Sequence, residues 1–188
     1  MFCGSSSGSS PDYRDAAIAL GTEIATRGCR LVYGGGDVGL MGAVAGAVME
    51  AGGAVTGVIT KQLFDLEVGH SGLTELEVVE DMHVRKARMA ELADGVIVLP
   101  GGFGTYEEMF EILTWNQLGL VSMPVVLLDV EVDGRGFYSP LIDLVAGAVA
   151  AGFMKPDHGA LLRRSDSAAD AVAVAMAPAA DFTPKWVG

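Results

Sequence analysis

The sequence predicts an α/β fold, a single Rossmann-like domain in which a doubly wound parallel sheet carries helices on both faces. Apolar runs of strand length alternate along the chain with segments of helical periodicity. Glycine-rich turns follow several of the predicted strands, at the strand ends where such folds bind their ligands. The 188 residues suffice for one domain with a full core, expected over residues 1–177, with 178–188 as a C-terminal tail.

The composition narrows the class of ligand. Hydrophobic residues make up 51% of the chain and charged residues 19%, with a net charge of −12. This charge argues against a nucleic-acid polymer as partner, although a local glycine nest could still bind a small anion. No basic segment leads into a long apolar one, so we expect no signal peptide, no membrane span and a cytoplasmic protein.

The cysteines and histidines offer no metal centre. Cys3 and Cys29 each lie in or beside an apolar run, which favours reduced core residues. The histidines, His70, His83 and His158, are too scattered to suggest a metal site. We therefore expect neither a metal nor a cofactor.

The N-terminal half contains three predicted strands and two predicted helices. In chain order these are a short strand at Met1–Cys3, a helix over Tyr13–Arg27, a strand at Arg30–Tyr33, a helix over Ala43–Glu50 and a strand at Ala54–Ile59. A Ser/Gly loop joins the first strand to the first helix. Its hydroxyl and N–H groups suit a ligand site, but a flexible linker would have a similar composition.

A second glycine-rich segment follows Tyr33. Gly34, Gly36 and Gly39 match the G-x-G-x-x-G fingerprint of dinucleotide sites, between a strand and a helix. Two features disfavour NAD. The strand is the second of the chain, and Thr60-Lys61 stands where an acidic residue would bind the ribose. The glycines still suit the close approach of a nucleotide or a sugar.

The next helix carries a basic pair in its first turn. We expect an irregular stretch from Lys61 to Thr74, a strand at Leu76–Glu80, and then a helix capped by Asp81. Arg85 and Lys86 oppose the helix dipole, which indicates a nearby anion, although a solvated basic face is the alternative. His83 could belong to the site or to the helix start.

The segment Val96–Glu108 is the most informative of the chain. An apolar strand ends at Pro100, passes through three glycines within four residues, and continues as a helix that carries Glu107 and Glu108. Such glycine turns expose N–H groups, and the helix N-terminus attracts anions. We expect Thr105 to cap this helix, which continues to Leu118.

The remaining elements continue the alternation. They are a strand at Pro124–Leu128, a helix over Ser139–Ala151, a short strand beginning at Leu161-Leu162 and a helix over Ser167–Met176.

The chemistry available at the strand ends consists of anion-binding groups and carboxylates. Neither a G-x-S-x-G elbow nor a Walker Gly-Lys-Ser/Thr is present, which disfavours acyl transfer and nucleoside triphosphate hydrolysis. A carboxylate beside a phosphate site suits cleavage of a glycosidic bond, because it stabilises an oxocarbenium-like transition state and can orient the attacking water.

Two motifs resemble those of the LONELY GUY (LOG) family. Pro100–Glu108 fits its PGGxGTxxE motif, and Met82–Ala87 fits its MHxRKA motif at the expected distance upstream. Phe2–Ser6 and Val32–Gly42 are also similar, so the resemblance spans residues 1–150. It implies a cytokinin riboside 5′-monophosphate phosphoribohydrolase, which releases free base and ribose 5-phosphate and is often mislabelled a lysine decarboxylase.

The resemblance also implies the site residues. Arg85 and Glu108 match the catalytic pair. The matched or neighbouring substrate-binding positions are Ser5, Gly35, Gly36, Glu67, Lys86, Gly102, Phe103, Gly104, Thr105, Tyr106, Glu107 and Thr114. Glu67 matches least securely, because the loop from Leu66 to Thr74 departs from the family pattern. The implied partner is a nucleoside 5′-monophosphate, either a cytokinin nucleotide or AMP, and the implied assembly is a homodimer.

Two other functions compete with this interpretation. A Rossmann-like carrier of a nucleotide or of molybdenum cofactor would bind without cleavage, and the presence of both Arg85 and Glu108 disfavours it. A pyridoxal-phosphate lysine decarboxylase needs a buried Schiff-base lysine. Lys86, within the arginine motif, is a poor candidate for that role.

Overall fold

The computed structural model describes residues 1–66, 70, 72–180 and 182. The helices are α1 (Pro11–Thr26), α2 (Gly39–Glu50), α3 (Lys61–Leu66), α4 (Met82–Glu91), α5 (Phe103–Leu118), α6 (Ser139–Ala150), α7 (Pro156–Gly159) and α8 (Ala168–Met176). The strands are β1 (Arg30–Tyr33), β2 (Ala54–Thr60), β3 (Glu75–Val79), β4 (Val96–Val98), β5 (Val125–Leu128), β6 (Glu131–Val132), β7 (Arg135–Gly136) and β8 (Leu162–Ser165).

The parallel strands form two three-stranded sheets, in the orders β1-β2-β3 and β4-β5-β8. The first residues of the chain lie between them. Phe2 forms a parallel bridge with Val98 of β4, and the amino group of Met1 donates to the carbonyl of Val32 in β1 at 2.8 Å. The start of the chain therefore joins the two sheets, as a bridge rather than as the predicted strand.

Two apolar clusters cover the two faces of the strands, which confirms the predicted layers. One cluster includes Leu20 of α1 and Val44 of α2, and it packs against Val55 of β2. The other includes Met89 of α4 and Met109 of α5. The inner strands are buried almost throughout, as expected for a parallel sheet between helical layers.

Several boundaries differ from the sequence-based expectation. Helix α2 begins at Gly39 rather than Ala43, and α3 lies in the stretch predicted as irregular. The β6–β7 hairpin was not predicted. It turns at Asp133 and Gly134, both with positive φ, and its two-residue strands are too short to show periodicity. Within the described residues, no helix is long and apolar enough to cross a membrane.

Candidate active site

The glycine segment between β4 and α5 presents an uncapped helix N-terminus. Gly102 is the N-cap residue, and no side chain caps the first turn. Free N–H groups at the start of this 16-residue helix are suited to bind an anion such as a phosphate. A side chain at Gly102 or Gly104 would meet no protein atom within 4 Å, so a ligand could approach both positions.

Thr105 is not the helix cap, which corrects the sequence-based expectation. It lies within the first turn of α5, 4% exposed, and its side chain packs on the backbone of Gly101. A methyl group at Gly101 would overlap Thr105, which explains the need for glycine there. Phe103 is 93% exposed, so it lies beside the turn without any packing against the core.

Two further loops meet the glycine segment at the same edge. The N–H of Gly4 donates to the carbonyl of Pro100 at 3.0 Å, and the carbonyl of Gly4 accepts from Leu40 of α2 at 3.1 Å. Gly39 has a φ of 61°, and a side chain there would collide with the backbone of Ser5. The exposed Ser5 is thus placed between the N-termini of α2 and α5, which argues against a flexible linker.

Arg85 and Glu108 form a nearly buried ion pair. Arg85 Nη1 lies 2.9 Å from Glu108 Oε1, and the side chains are 9% and 14% exposed. Arg85 Nε also donates to the carbonyl of Val58 in β2 at 2.9 Å. The guanidinium lies directly against Gly34, where any side chain would overlap it. Burial by neighbours from three elements excludes the solvated basic face that the sequence left open.

Lys86 forms a second pair of contacts on α5. Its Nζ lies 2.5 Å from Glu107 Oε1 and 3.0 Å from Glu111 Oε1. Burial works to lower the pKa of Lys86, but the hydrogen bonds that its Nζ donates to the two carboxylates hold the pKa above its usual value. Glu107, which is 55% exposed, thus forms its ion pair with Lys86, whereas Glu108 forms its ion pair with Arg85.

Burial also dominates the electrostatics of Glu108. It raises the pKa of the carboxyl group, and the charge of Arg85 and its hydrogen bond limit that rise. The nearby Met1 amino group has its pKa lowered to about 6 by burial. A carboxylate that water solvates poorly interacts strongly with any positive charge that develops beside it.

The other residues predicted to bind substrate differ in their burial and in the helix face on which they lie. Gly35 and Gly36 are buried, and Tyr106 is half-buried in the first turn of α5. Thr114 donates to the carbonyl of Phe110 and shares the helix face of Glu107 and Glu111, not that of Glu108. Glu67 lies outside the described residues.

The structure confirms the predicted cap of helix α4. Asp81 is its N-cap, as predicted, and accepts from the N–H of His83 and of Val84. The side chain of His83 is exposed at this turn.

Sequence reasoning did not single out three of the groups that define the geometry. These are the carbonyl of Val58, the space at Gly34 and the amino group of Met1. A backbone carbonyl carries no sequence signal. Gly34 was noted only for its place in a glycine fingerprint.

Comparisons with known proteins identify the family of the chain. The family described as "Possible lysine decarboxylase" matches residues 41–175. The chain is 46% identical over 172 residues to the cytokinin riboside 5′-monophosphate phosphoribohydrolase LOG1 of Arabidopsis thaliana, covering 92% of this chain and 79% of that protein. It is 50% identical over 156 residues to LOG7 of the same plant, which bears the same enzyme name, covering 83% and 70%.

Solved structures support the fold. The molybdenum cofactor binding protein of Rippkaea orientalis matches with a TM-score of 0.66 at 21% identity, covering 91% of this chain and 90% of that one. The molybdenum cofactor carrier protein of Chlamydomonas reinhardtii matches with a TM-score of 0.63 at 24% identity, covering 88% and 86%. At these identities the likeness shows a shared Rossmann-like fold.

Proposed function

The chain belongs to the family described as "Possible lysine decarboxylase", which includes the LOG phosphoribohydrolases, and we propose that it hydrolyses the N-glycosidic bond of nucleoside 5′-monophosphates. The products are a free base and ribose 5-phosphate. The substrates are cytokinin riboside 5′-monophosphates and AMP. One observation carries the mechanism, namely the buried Arg85–Glu108 pair beside the uncapped N-terminus of α5.

The roles of the groups follow from their charges. The N–H groups at the start of α5 hold the 5′-phosphate, and Arg85 orients the nucleotide. The electron pair of the C1′–N bond leaves with the base, and positive charge develops on the ribose. Glu108 stabilises that charge and positions a water molecule, which supplies hydroxyl to C1′ and a proton to the base.

The state of Lys86 argues against lysine decarboxylase chemistry. Schiff-base formation needs a neutral amine. Lys86 instead contacts two carboxylates that raise its pKa and keep it protonated. The same contacts suggest that Lys86 positions Glu107 near the substrate.

Incubation with AMP and with isopentenyladenosine monophosphate, followed by assays for free base and ribose 5-phosphate, tests the proposal. Adenosine is the matched control, because it lacks the phosphate that α5 binds and should be cleaved poorly. Glu108→Gln and Arg85→Ala should each nearly abolish turnover. The thermal midpoint of the Glu108→Gln protein should change little. Binding of the nucleotides without base release would favour a carrier.

We also propose a homodimer. An exposed stripe runs along α5 through Phe103, Glu107, Phe110, Thr114 and Leu118, and a second copy would cover its apolar members. Thr114 would then contact substrate only in the assembled dimer. Sedimentation across a range of concentrations tests the assembly, and cell fractionation tests the expected cytoplasmic location.

A further inference from the structure

A buried tyrosine contacts the backbone where the glycine segment leaves β4. The hydroxyl of Tyr138 donates to the carbonyl of Leu99 at 2.7 Å, and the two residues are 1% and 0% exposed. Leu99 directly follows β4 and precedes the turn Pro100–Gly102, which leads into α5 and which we call the PGG turn. Tyr138 lies 39 residues later in the chain, so this hydrogen bond ties the turn to a separate part of the fold.

The hydrogen-bond ladder beside β4 changes register at Leu99. Phe2 donates to the carbonyl of Ile97 and accepts from the N–H of Leu99, as in a regular parallel pair. The next donor in that pattern is Gly4, which would reach the carbonyl of Leu99, but Gly4 donates to the carbonyl of Pro100 instead, at 3.0 Å. The carbonyl of Leu99 thus leaves the ladder, and the tyrosine hydroxyl replaces the missing backbone donor.

Tyr138 is itself fixed at its backbone. Its N–H donates to Asp129 Oδ1 at 2.7 Å, and the side chain of Asp129 is fully buried. Arg164 Nε lies 2.7 Å from the other carboxylate oxygen. A side chain at Gly136 would overlap this carboxylate, so the β6–β7 hairpin closes over Asp129 only with glycine there. The hydroxyl therefore reaches Leu99 from a backbone that a buried carboxylate holds in place.

Loss of the hydroxyl would act on the start of α5. Burial raises the pKa of Tyr138 far above its usual value, so the hydroxyl keeps its proton at neutral pH. A buried carbonyl that loses its donor carries a desolvation cost, which favours movement of the backbone toward another partner. Gly102, the last residue of the PGG turn, is the N-cap of α5. Movement of the turn therefore moves the N–H groups that we assign to the 5′-phosphate.

We propose that Tyr138 is a positioning residue for the phosphate group of the substrate, which acts by fixing the carbonyl of Leu99 and with it the N-terminus of α5. Because Tyr138 is buried, it acts without touching the substrate. It sets the place of the phosphate site relative to the Arg85–Glu108 pair, and thereby the preference for a nucleoside 5′-monophosphate over a nucleoside. This inference rests on the proposed function, which assigns the phosphate to α5.

The test removes the hydroxyl alone. Tyr138→Phe keeps the ring and loses the donor to Leu99. The probes are ribose 5-phosphate and adenosine, which carry and lack the phosphate, and calorimetric titration measures their affinities. KM and kcat for AMP and the thermal midpoint are measured on the same proteins. Tyr33→Phe is the matched control, because Tyr33 is also fully buried and its hydroxyl has no hydrogen-bond partner among the described residues.

We expect Tyr138→Phe to weaken the binding of ribose 5-phosphate by about fivefold, since one hydrogen bond is worth up to about tenfold in an equilibrium constant. The affinity for adenosine should not change. KM for AMP should rise by a similar factor while kcat changes little, because the phosphate is held equally in the ground state and in the transition state. Tyr33→Phe should alter none of these quantities.

A lower thermal midpoint of the Tyr138→Phe protein with unchanged affinity for ribose 5-phosphate would indicate a purely structural role and would overturn the proposal. Equal losses of affinity for ribose 5-phosphate and adenosine, or a loss confined to kcat, would also overturn it. The titrations need no cleavage. If the unchanged chain bound ribose 5-phosphate but released no adenine from AMP, the proposed function would fail, and the titrations would still decide the role of Tyr138. Failure of the unchanged chain to bind ribose 5-phosphate would overturn both.

Discussion

Replacing Gly34 by alanine tests whether turnover depends on the placement of Arg85. A methyl group at Gly34 would overlap the Nη2 nitrogen of the guanidinium. The backbone there does not require glycine, because Gly34 is not among the residues with positive φ. The guanidinium cannot turn aside freely, since Val58 and Glu108 both hold it at 2.9 Å. The substitution therefore acts on the position of one side chain.

The size of the effect follows from the displacement. Ordinary contact needs 3.4 Å or more, so the guanidinium must move by about 1 Å. A misplacement of about 1 Å costs on the order of 10²-fold in rate, which corresponds to about 2.7 kcal/mol. We expect kcat/KM for AMP to fall by about 10²-fold, measured by release of adenine, with unchanged far-UV circular dichroism.

Two controls separate this effect from a general glycine effect. Gly46→Ala lies within α2, where an added methyl meets nothing within 4 Å, and it should leave kcat/KM unchanged. Gly34→Ala made in an Arg85→Ala background should cost nothing further, because the overlapping group is gone. Full activity of the single variant, or an undiminished cost in that background, would refute the reasoning.

Other predictions concern pH and stability. Burial raises the pKa of Glu108, so activity that needs the carboxylate should fall as pH drops through a value above 4.5. Arg85→Met removes the charge that limits this rise, so the acidic limb of the pH–rate profile should move to higher pH. Because the folded-state pKa of Glu108 is raised, the contribution of this group to stability is fully present below 4.5 and is lost as pH rises through the folded value. Thermal scans of Glu108→Gln and of the unchanged protein at several pH values would measure this contribution. Asn116→Ala should lower the thermal midpoint by about 5–10 °C, because the buried amide bonds both backbone groups of Met123.

Sequence patterns predicted the layers well because burial on both faces leaves a strong signal. The apolar run Arg30–Tyr33 is β1 as predicted, and Val125–Leu128 falls within the predicted strand. The start of α2 was harder to predict, because a helix that begins within a glycine segment shows no apolar periodicity there. For this reason α2 was predicted to begin at Ala43 rather than Gly39.

The candidate site was predictable in its residue types but not in its pairings. The motifs placed Arg85 and Glu108 near the same sheet edge, and the structure brings them into contact. The sequence alone left a solvated basic face open as the alternative for Arg85. Its burial depends on Val58 of β2 and on Gly34, which follows β1; both are distant from Arg85 in sequence and meet it only when the sheet is assembled.

The bond from Arg85 to Val58 has a consequence for how heat would inactivate the protein. Val58 belongs to the β1-β2-β3 sheet, whereas Glu108 lies on the helix that follows β4 of the other sheet. Arg85 thus connects the two sheets, which backbone hydrogen bonds of Met1, Phe2 and Gly4 also join. Slight separation of the two sheets would part Arg85 from Glu108 while every helix stays intact. Activity should therefore disappear at a lower temperature than the helical circular dichroism signal. The difference between the two temperatures measures how firmly the two sheets are held together.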